Sequence, residues 1–160
     1  MRMGRLEPRA LRILFVQRLL MGGIFLAVWF DNLASGKYGA KGYAHFLRHY
    51  AGTTPFHSYA HFLTSAVIPN ARILAPLQMV VELVVFAGFW LAGFLTPVAA
   101  VLGSLFFVGV LLDSWAIDWQ GTYVLLIAML LSVGIGQAGR IWSVDALLAR
   151  RNPKLRLPLY

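Results

Sequence analysis

Four long apolar runs divide the 160-residue chain, and polar or basic residues separate one run from the next. The runs cover residues 13–33, 74–94, 97–116 and 122–138. Each is close to the roughly 20 apolar residues that a helix needs to cross the hydrocarbon core of a bilayer. The pattern predicts an all-α membrane protein, a single domain over residues 1–160 that folds as a four-transmembrane-helix antiparallel bundle.

The segment between the first two runs, residues 34–72, is more polar and contains a short internal repeat. Residues 43–47 read YAHFL and residues 59–63 again read YAHFL, with the turn-forming sequence GTTP at 52–55 between them. Neither copy is long enough to cross a membrane. We therefore expect two short helices that lie in the outer interface or dip back against the bundle.

Composition supports a membrane protein, since 59% of the residues are hydrophobic and only 12% are charged. A net charge of +8 would suggest nucleic acid in a soluble protein. Here the basic residues cluster at the ends of apolar runs, so they indicate topology and contact with lipid head groups rather than nucleic acid. The terminal segments carry more of them than segment 34–72 does, which predicts that both termini are cytoplasmic.

The chain contains no cysteine. It therefore has no disulfide, no thiolate nucleophile and no iron–sulfur ligand of its own. Any sulfur or electron chemistry must use a bound cofactor, a quinone or another subunit.

Glu82 is an ionisable residue near the middle of the second apolar run. A charge at that depth costs at least roughly 2.5 kcal/mol, so the side chain should face a partner or a wet cavity. Arg18 is the candidate partner, because a guanidinium can bridge the roughly 7 Å between their expected depths. Gln78 lies one turn before Glu82 and extends the polar strip. Two interpretations stay open: a buried ion pair that fixes helix register, and a proton-accepting carboxylate beside a quinone or in a proton path.

All four histidines lie in segment 34–72 as two i, i+4 pairs, His45 with His49 and His57 with His61. On a helix this spacing puts both imidazoles on one face, as chelation of a transition metal or axial ligation of haem requires. Packing at the interface and hydrogen bonding to a quinone head group are the other interpretations. Metal or haem is the least favoured, because no acidic ligand lies close in sequence.

A polar and aromatic cluster ends the third run, with Asp113, Trp115, Asp118 and Trp119, and Asp31 ends the first run. The simplest interpretation is a solvated rim whose carboxylates pair with nearby basic residues, each pair contributing about 1 kcal/mol or less. The alternative is a docking face for an extracytoplasmic redox partner.

Two polar motifs are interpreted as structural. The short turn at residues 95–97 predicts a helical hairpin between the second and third runs, with the proline at a compatible helix start. Gly139 suits a helix C-cap, and Arg140 complements the negative end of the fourth helix. Ser143 is the expected N-cap of a short helix through Arg151, with Asp145 in its first turn.

Several of these features combine into one pattern. It consists of Arg18-x3-Gly22, Glu82 followed by Phe86-Ala87-Gly88, the Leu95-Thr96 turn, and Gly-Gln-Ala-Gly-Arg-x-x-Ser-x-Asp over residues 136–145. The pattern resembles the DoxX family over nearly the whole chain. Segment 34–72 resembles the DoxD-type members, which are membrane subunits of thiosulfate:quinone oxidoreductase. Pro97 departs from the pattern, because many members carry a basic residue after the threonine.

The resemblance implies a four-helix protein of the bacterial or archaeal cytoplasmic membrane that works with a second subunit in quinone-linked oxidation of reduced sulfur compounds. Glu82 and Arg18 would then line or support a quinone site. The candidate quinone contacts are His45, His49, His57, His61, Gln78 and Trp115. The lack of redox-active residues favours another interpretation, a non-catalytic accessory subunit that stabilises a larger membrane complex. Membrane lipid and other protein subunits are the expected partners, and whether the chain is an enzyme stays open.

Overall fold

The computed structural model describes residues 7–136 and 138–151, and the regular structure in this part of the chain is helical. The side chains of Pro8 and Arg140 are not described. Eight α-helices follow one another: α1 Pro8–Ala34, α2 Ala40–Thr53, α3 His57–Phe62, α4 Ala71–Val81, α5 Phe89–Ala92, α6 Thr96–Asp113, α7 Gln120–Ile135 and α8 Val144–Arg151. Arg2, Arg5, Lys154 and Arg156, which enter the predicted orientation, lie outside the described residues.

Within the described residues, three helical stretches are long and apolar enough to cross a membrane, which makes the chain a multi-pass membrane protein. They are Arg9–Ala34, His57–Ala92 and Thr96–Asp113. α7 is equally apolar but only 16 residues long. Large apolar side chains such as Ile13, Leu105 and Ile135 are exposed on these helices, as lipid contact requires.

The second stretch begins 17 residues before the predicted 74–94 run, because α3 continues into α4 through a π-helical turn, Leu63–Val67, and a 3-10 turn, Ile68–Asn70. It is not straight. Tyr59 donates a hydrogen bond to the Gly109 carbonyl oxygen at 3.3 Å. On a straight helix Tyr59 would lie about 50 Å from Ala92, whereas Gly109 lies about 20 Å from the start of α6. The stretch therefore bends, and the irregular features of its backbone include Pro69 in the 3-10 turn, Pro76 inside α4 and the π-helical turn Leu63–Val67.

α5 ends at Gly93, whose φ of 65° places it in the left-handed region that favours glycine. Leu95 also has a positive φ, 47°, and α6 begins at Thr96 with Pro97 in its first turn. The predicted hairpin between the second and third runs is thus present. α7 packs along α6, and α1 packs against α5, α7 and a second π-helical turn, Glu82–Gly88.

Two clusters of buried side chains stabilise the fold. The larger lies between α1, the Glu82–Gly88 turn, α5, α6 and α7, and includes Met21, Trp90 and Leu130, which are fully buried. Trp90 is thus a core residue. The smaller cluster joins α2 to the bent stretch through Tyr43, Leu47, Leu63, Ala71 and Ala75. It keeps α2 against α4 at one end of the bundle.

Candidate functional site

Glu82 lies inside the bundle, 1% exposed, and accepts hydrogen bonds from three side chains. Tyr38 donates to Oε2 through its hydroxyl, and Asn32 Nδ2 donates to the same oxygen at 3.3 Å. Gln78 Nε2 donates to Oε1 at 2.6 Å, which agrees with the predicted polar strip. Tyr43 in turn donates to Gln78 Oε1 at 2.8 Å. These five residues are the Glu82 cluster, and its donors are all uncharged.

Local backbone structure positions the carboxyl group. Glu82 is the first residue of a π-helical turn, which redirects the helix face at this point. One turn earlier, the Met79 carbonyl oxygen accepts a hydrogen bond from Trp29 Nε1 at 3.0 Å. Trp29 and Asn32 lie on the same side of α1, so α1 is held against this face by both residues. π-helical turns occur frequently at functional sites.

Tyr38 and Tyr43 reach Glu82 from the chain between α1 and α4. Burial raises the pKa of the Tyr38 hydroxyl above its usual range, and the hydrogen bond to Glu82 raises it further. Tyr38 therefore stays protonated and remains a donor to the carboxyl group. Burial also raises the pKa of Tyr43, and the charges of Asp113 and Glu82 add to that effect. Tyr43 thus lies within the electrostatic reach of two carboxyl groups.

The predicted Arg18–Glu82 ion pair is not formed. Asn32, which contacts Glu82, lies 14 residues after Arg18 on α1, about 21 Å along the helix. Arg18 is instead level with Gly93, where an added Cβ would clash with the guanidinium. Glu82 lies 11 residues before Gly93, about 16 Å away. The sequence-based estimate of a 7 Å gap was wrong, because the second stretch ends two residues earlier and begins far earlier than predicted.

Arg18 is fully buried, and backbone carbonyl groups of the α7–α8 connection bind its guanidinium. Nη1 donates to the Ala138 oxygen at 2.9 Å and to the Ile141 oxygen at 3.3 Å, and Nη2 donates to the Trp142 oxygen at 2.8 Å. The ring of Phe15 lies 5.0 Å from the guanidinium carbon. Trp142 has a positive φ of 43°, a conformation in which its carbonyl reaches Arg18.

Asp145 completes the same end of the bundle. Its carboxylate accepts hydrogen bonds from the backbone N–H groups of Leu95 at 3.0 Å and Thr96 at 3.2 Å, and so caps α6 from another helix. Ser143 Oγ accepts the Ala146 N–H at 3.0 Å, which confirms the predicted N-cap of α8. Gly139 is not a helix C-cap, since α7 ends at Ile135. Its role is spatial: an added Cβ would lie 2.9 Å from Thr96 Oγ1 and 3.0 Å from the Asp145 carboxylate.

We call this end, with Arg18, Gly93, Thr96, Ser143 and Asp145, the motif end, and the opposite end, which carries residues 35–39, the turn end. The motif end unites most of the residues on which the family resemblance rests. Gln137, part of that pattern, lies outside the described residues.

The four histidines are exposed, and they do not come together as one group. His45 and His49 lie on the outer face of α2. His57 and His61 line an open cavity of about 430 Å³ together with Ser58, and Ser65 Oγ lies 3.2 Å from His61 Nδ1. Within residues 7–136 and 138–151, no group of three or more metal-ligating side chains comes together. Two of the four predicted contacts thus share a cavity.

Trp115 lies beyond α6, 40% exposed, with its ring against Phe56 at 5.4 Å between centroids. Asp118 accepts a hydrogen bond from the Tyr123 hydroxyl at 2.6 Å, and Asp31 pairs with Lys37 at 3.1 Å on the surface. Asp31 and Asp118 thus match the predicted solvated rim, whereas Asp113 is part-buried at the end of α6, with its Oδ1 atom buried. The partners of Glu82 in the 35–39 turn and on α1 were missed, and only their polarity beside apolar runs could have suggested them.

No protein-family model, curated protein or solved structure matches the chain.

Proposed function

We propose that the chain is a four-span membrane subunit, similar to the DoxD-type members of the DoxX family, that serves quinone-linked oxidation of reduced sulfur compounds. In this proposal α1, residues 71–92 of the second stretch, α6 and α7 cross the cytoplasmic membrane, and α2 and α3 lie towards its outer interface. Glu82 is the group that accepts and releases a proton. Electrons come from a partner subunit, because the chain has no cysteine and needs an external donor.

One observation carries the proposal: Glu82 is buried among apolar helices, and every donor to it is an uncharged side chain. A cation would fix the carboxylate in its charged form. Tyr38, Asn32 and Gln78 each use a rotatable side chain, so the hydrogen bonds can rearrange when the carboxyl group gains or loses a proton. Ionisable residues inside a membrane are rare, and proton relays are among the functions that they mark.

In this proposal a quinone head group binds at the open cavity lined by His57, Ser58 and His61, where the two imidazoles and the hydroxyl offer hydrogen bonds to quinone oxygens. The rings of Phe56 and Phe62, close to these residues in sequence, are exposed. When bound, the quinone would supply two-electron chemistry coupled to proton uptake. His57 and His61 would bind and orient it, while Glu82 holds a proton in the bundle.

A second candidate function is that of a non-catalytic accessory subunit. The hydrogen bonds from the Arg18 guanidinium to backbone carbonyl groups favour this function, because they give one member of the predicted catalytic pair a structural role. A stable stoichiometric complex whose redox centres all lie in other subunits would support this alternative.

Thiosulfate-dependent quinone reduction in membranes distinguishes the two functions. We expect Glu82→Gln to accumulate in membranes and copurify with its partners at the wild-type level but to lose turnover, because an amide exchanges no proton in the working range. Asp31→Asn is the control, because Asp31 is an exposed carboxylate near the end of α1 that does not contact Glu82, and it should keep turnover. Wild-type turnover in Glu82→Gln would contradict the proposed role and favour the accessory subunit.

A further inference from the structure

Four phenylalanine rings separate the Glu82 cluster from the motif end. Phe25 stacks on Phe107 with 5.2 Å between centroids and contacts Phe86 at 5.1 Å. Phe106 contacts Phe86 at 5.0 Å and Phe107 at 5.8 Å. We call these four rings the aromatic layer. It joins α1, the Glu82–Gly88 turn and α6 across the bundle.

The position of the aromatic layer follows from the helices. Phe86 lies one turn from Glu82 in the direction of Gly93, and Phe25 lies midway between Arg18 and Asn32 on α1. Between the layer and Arg18 the core consists of Met21, Trp90 and other side chains that are fully buried. Trp90 Nε1 and Ser104 Oγ are polar atoms in this core, and neither makes a hydrogen bond to another described residue. The aromatic layer and the side chains beneath it thus form the apolar side of Glu82.

The side of Glu82 that faces the turn end is different. There Tyr38, 8% exposed, lies directly on the carboxyl group and comes from a short connection between α1 and α2. Gly36, two residues before it, is exposed and has a positive φ of 69°. Lys37 points outward to Asp31 and to the ring of Phe46. Tyr38, on a glycine-containing turn, thus covers Glu82 on this side together with the part-buried side chains of Asn32 and Gln78.

We propose that Glu82 exchanges its proton with one side of the membrane only, the side of the turn end, and that Tyr38 is the gate of this route. The inference rests on the proposed function in that the exchanged species is a proton. The proton passes directly between water and the carboxyl group when the Tyr38 side chain turns away. The groups that face Glu82 are Asn32, Gln78 and Tyr38, all neutral, with Tyr43 behind Gln78. The charges nearest this opening are Lys37 and Asp31 on the surface, and Asp113 acts on Tyr43.

Cysteine accessibility tests the inference, because the native chain has no cysteine. Glu82→Cys is reacted in sealed vesicles with a charged, membrane-impermeant thiol reagent added from either side. Gly36→Cys marks the turn end and Arg150→Cys marks the motif end, since both positions are exposed. Asn32→Cys, beside the carboxyl group, provides a second probe if Glu82→Cys accumulates poorly.

We expect the probe cysteine to react with reagent added from the side that labels Gly36→Cys. Tyr38→Ala should raise the rate of this reaction about tenfold or more, because it removes the side chain that covers position 82. Tyr38→Phe, which keeps the ring, should raise it less. From the side that labels Arg150→Cys the probe should stay unreactive, and Phe25→Ala with Phe107→Ala should make it reactive. Reaction from the Arg150 side at the same rate, or no effect of Tyr38→Ala, would overturn the proposal.

The test separates this inference from the proposed function. Labelling measures access whether or not Glu82 takes part in turnover. Labelling from one side only, together with wild-type turnover in Glu82→Gln, would support the one-sided route and contradict the catalytic role of Glu82. Labelling from both sides, together with lost turnover in Glu82→Gln, would contradict the one-sided route and support the catalytic role of Glu82. If Gly36→Cys and Arg150→Cys label from the same side, the four-span arrangement is wrong.

Discussion

The two ends of the bundle hold buried charge in different ways. At the motif end, backbone carbonyl groups bind Arg18, and backbone N–H groups bind the Asp145 carboxylate. At the Glu82 cluster the donors are the side chains of Tyr38, Asn32 and Gln78. Backbone groups cannot move without moving a helix or a turn, whereas side chains change rotamer. The motif end is therefore rigid, whereas the side chains of the Glu82 cluster can rearrange.

The largest effect should follow from the loss of Arg18. Arg18→Met leaves the carbonyl groups of Ala138, Ile141 and Trp142 buried without their donor, and hydrogen bonds to charged groups contribute about 1.5–3 kcal/mol each. We expect a loss of more than about 3 kcal/mol in the free energy of unfolding, measured in mixed micelles. Arg18→Lys should lose most of this as well, because a compact ammonium cannot reach three carbonyls. Arg12→Met is the control, because Arg12 is exposed on the same helix. Equal losses of unfolding free energy in Arg18→Met and Arg12→Met would contradict a stabilising role of Arg18 at the motif end.

A smaller loss is expected at Asp145. Asp145→Ala removes the cap of α6 and leaves the N–H groups of Leu95 and Thr96 unpaired, which costs about 2 kcal/mol. Asp145→Asn keeps one acceptor oxygen and should cost about half of that. Asp118→Ala, an exposed carboxylate, should stay within about 0.5 kcal/mol of wild type in the same unfolding measurement. If Asp145→Ala unfolds like Asp118→Ala, the cap contributes nothing to stability.

Contacts within one turn were predictable from the sequence, and contacts between distant segments were not. The Gln78–Glu82 bond and the Ser143 cap follow from spacing alone, and the short hairpin follows from the turn at residues 95–97. The partners of Glu82 on α1 and in the 35–39 turn depend on how α1 packs against a π-helical turn, which no periodicity in the sequence reveals. The predicted Arg18–Glu82 ion pair was wrong for the same reason. The opposite charges suggested the pair, but the packing of the helices places the two residues far apart.

Glu82→Gln should change stability less than either substitution at the motif end. Glutamine keeps an oxygen for Tyr38, so we expect a loss below about 1 kcal/mol. Its effect should add to that of Arg18→Lys within about 0.5 kcal/mol, because the two residues lie far apart and share no partner. The measurement is a double-mutant cycle on the free energy of unfolding. A coupling energy above about 1 kcal/mol would indicate a direct interaction between Arg18 and Glu82 and would contradict the distance between them.

The smallest effect concerns alkaline pH. Because the Tyr38 pKa is raised in the fold, the unfolded state releases its proton first as the pH rises. The stabilisation is complete below the ordinary tyrosine value of 10.0 and declines as the pH rises above it. We expect Tyr38→Phe to lose stability less steeply than wild type above that pH in thermal unfolding. Identical slopes would show that the fold does not raise the pKa of the Tyr38 hydroxyl.

Infrared difference spectroscopy during quinone reduction in membranes tests the contrast between the two ends most directly. A carboxyl group that gains or loses a proton changes its C=O stretching band, and a carboxylate held by backbone N–H groups does not. The account predicts a carboxylic acid band that disappears in Glu82→Gln and persists in Asp145→Asn. A spectrum with no band that depends on Glu82, or with a band that depends on Asp145, would contradict it.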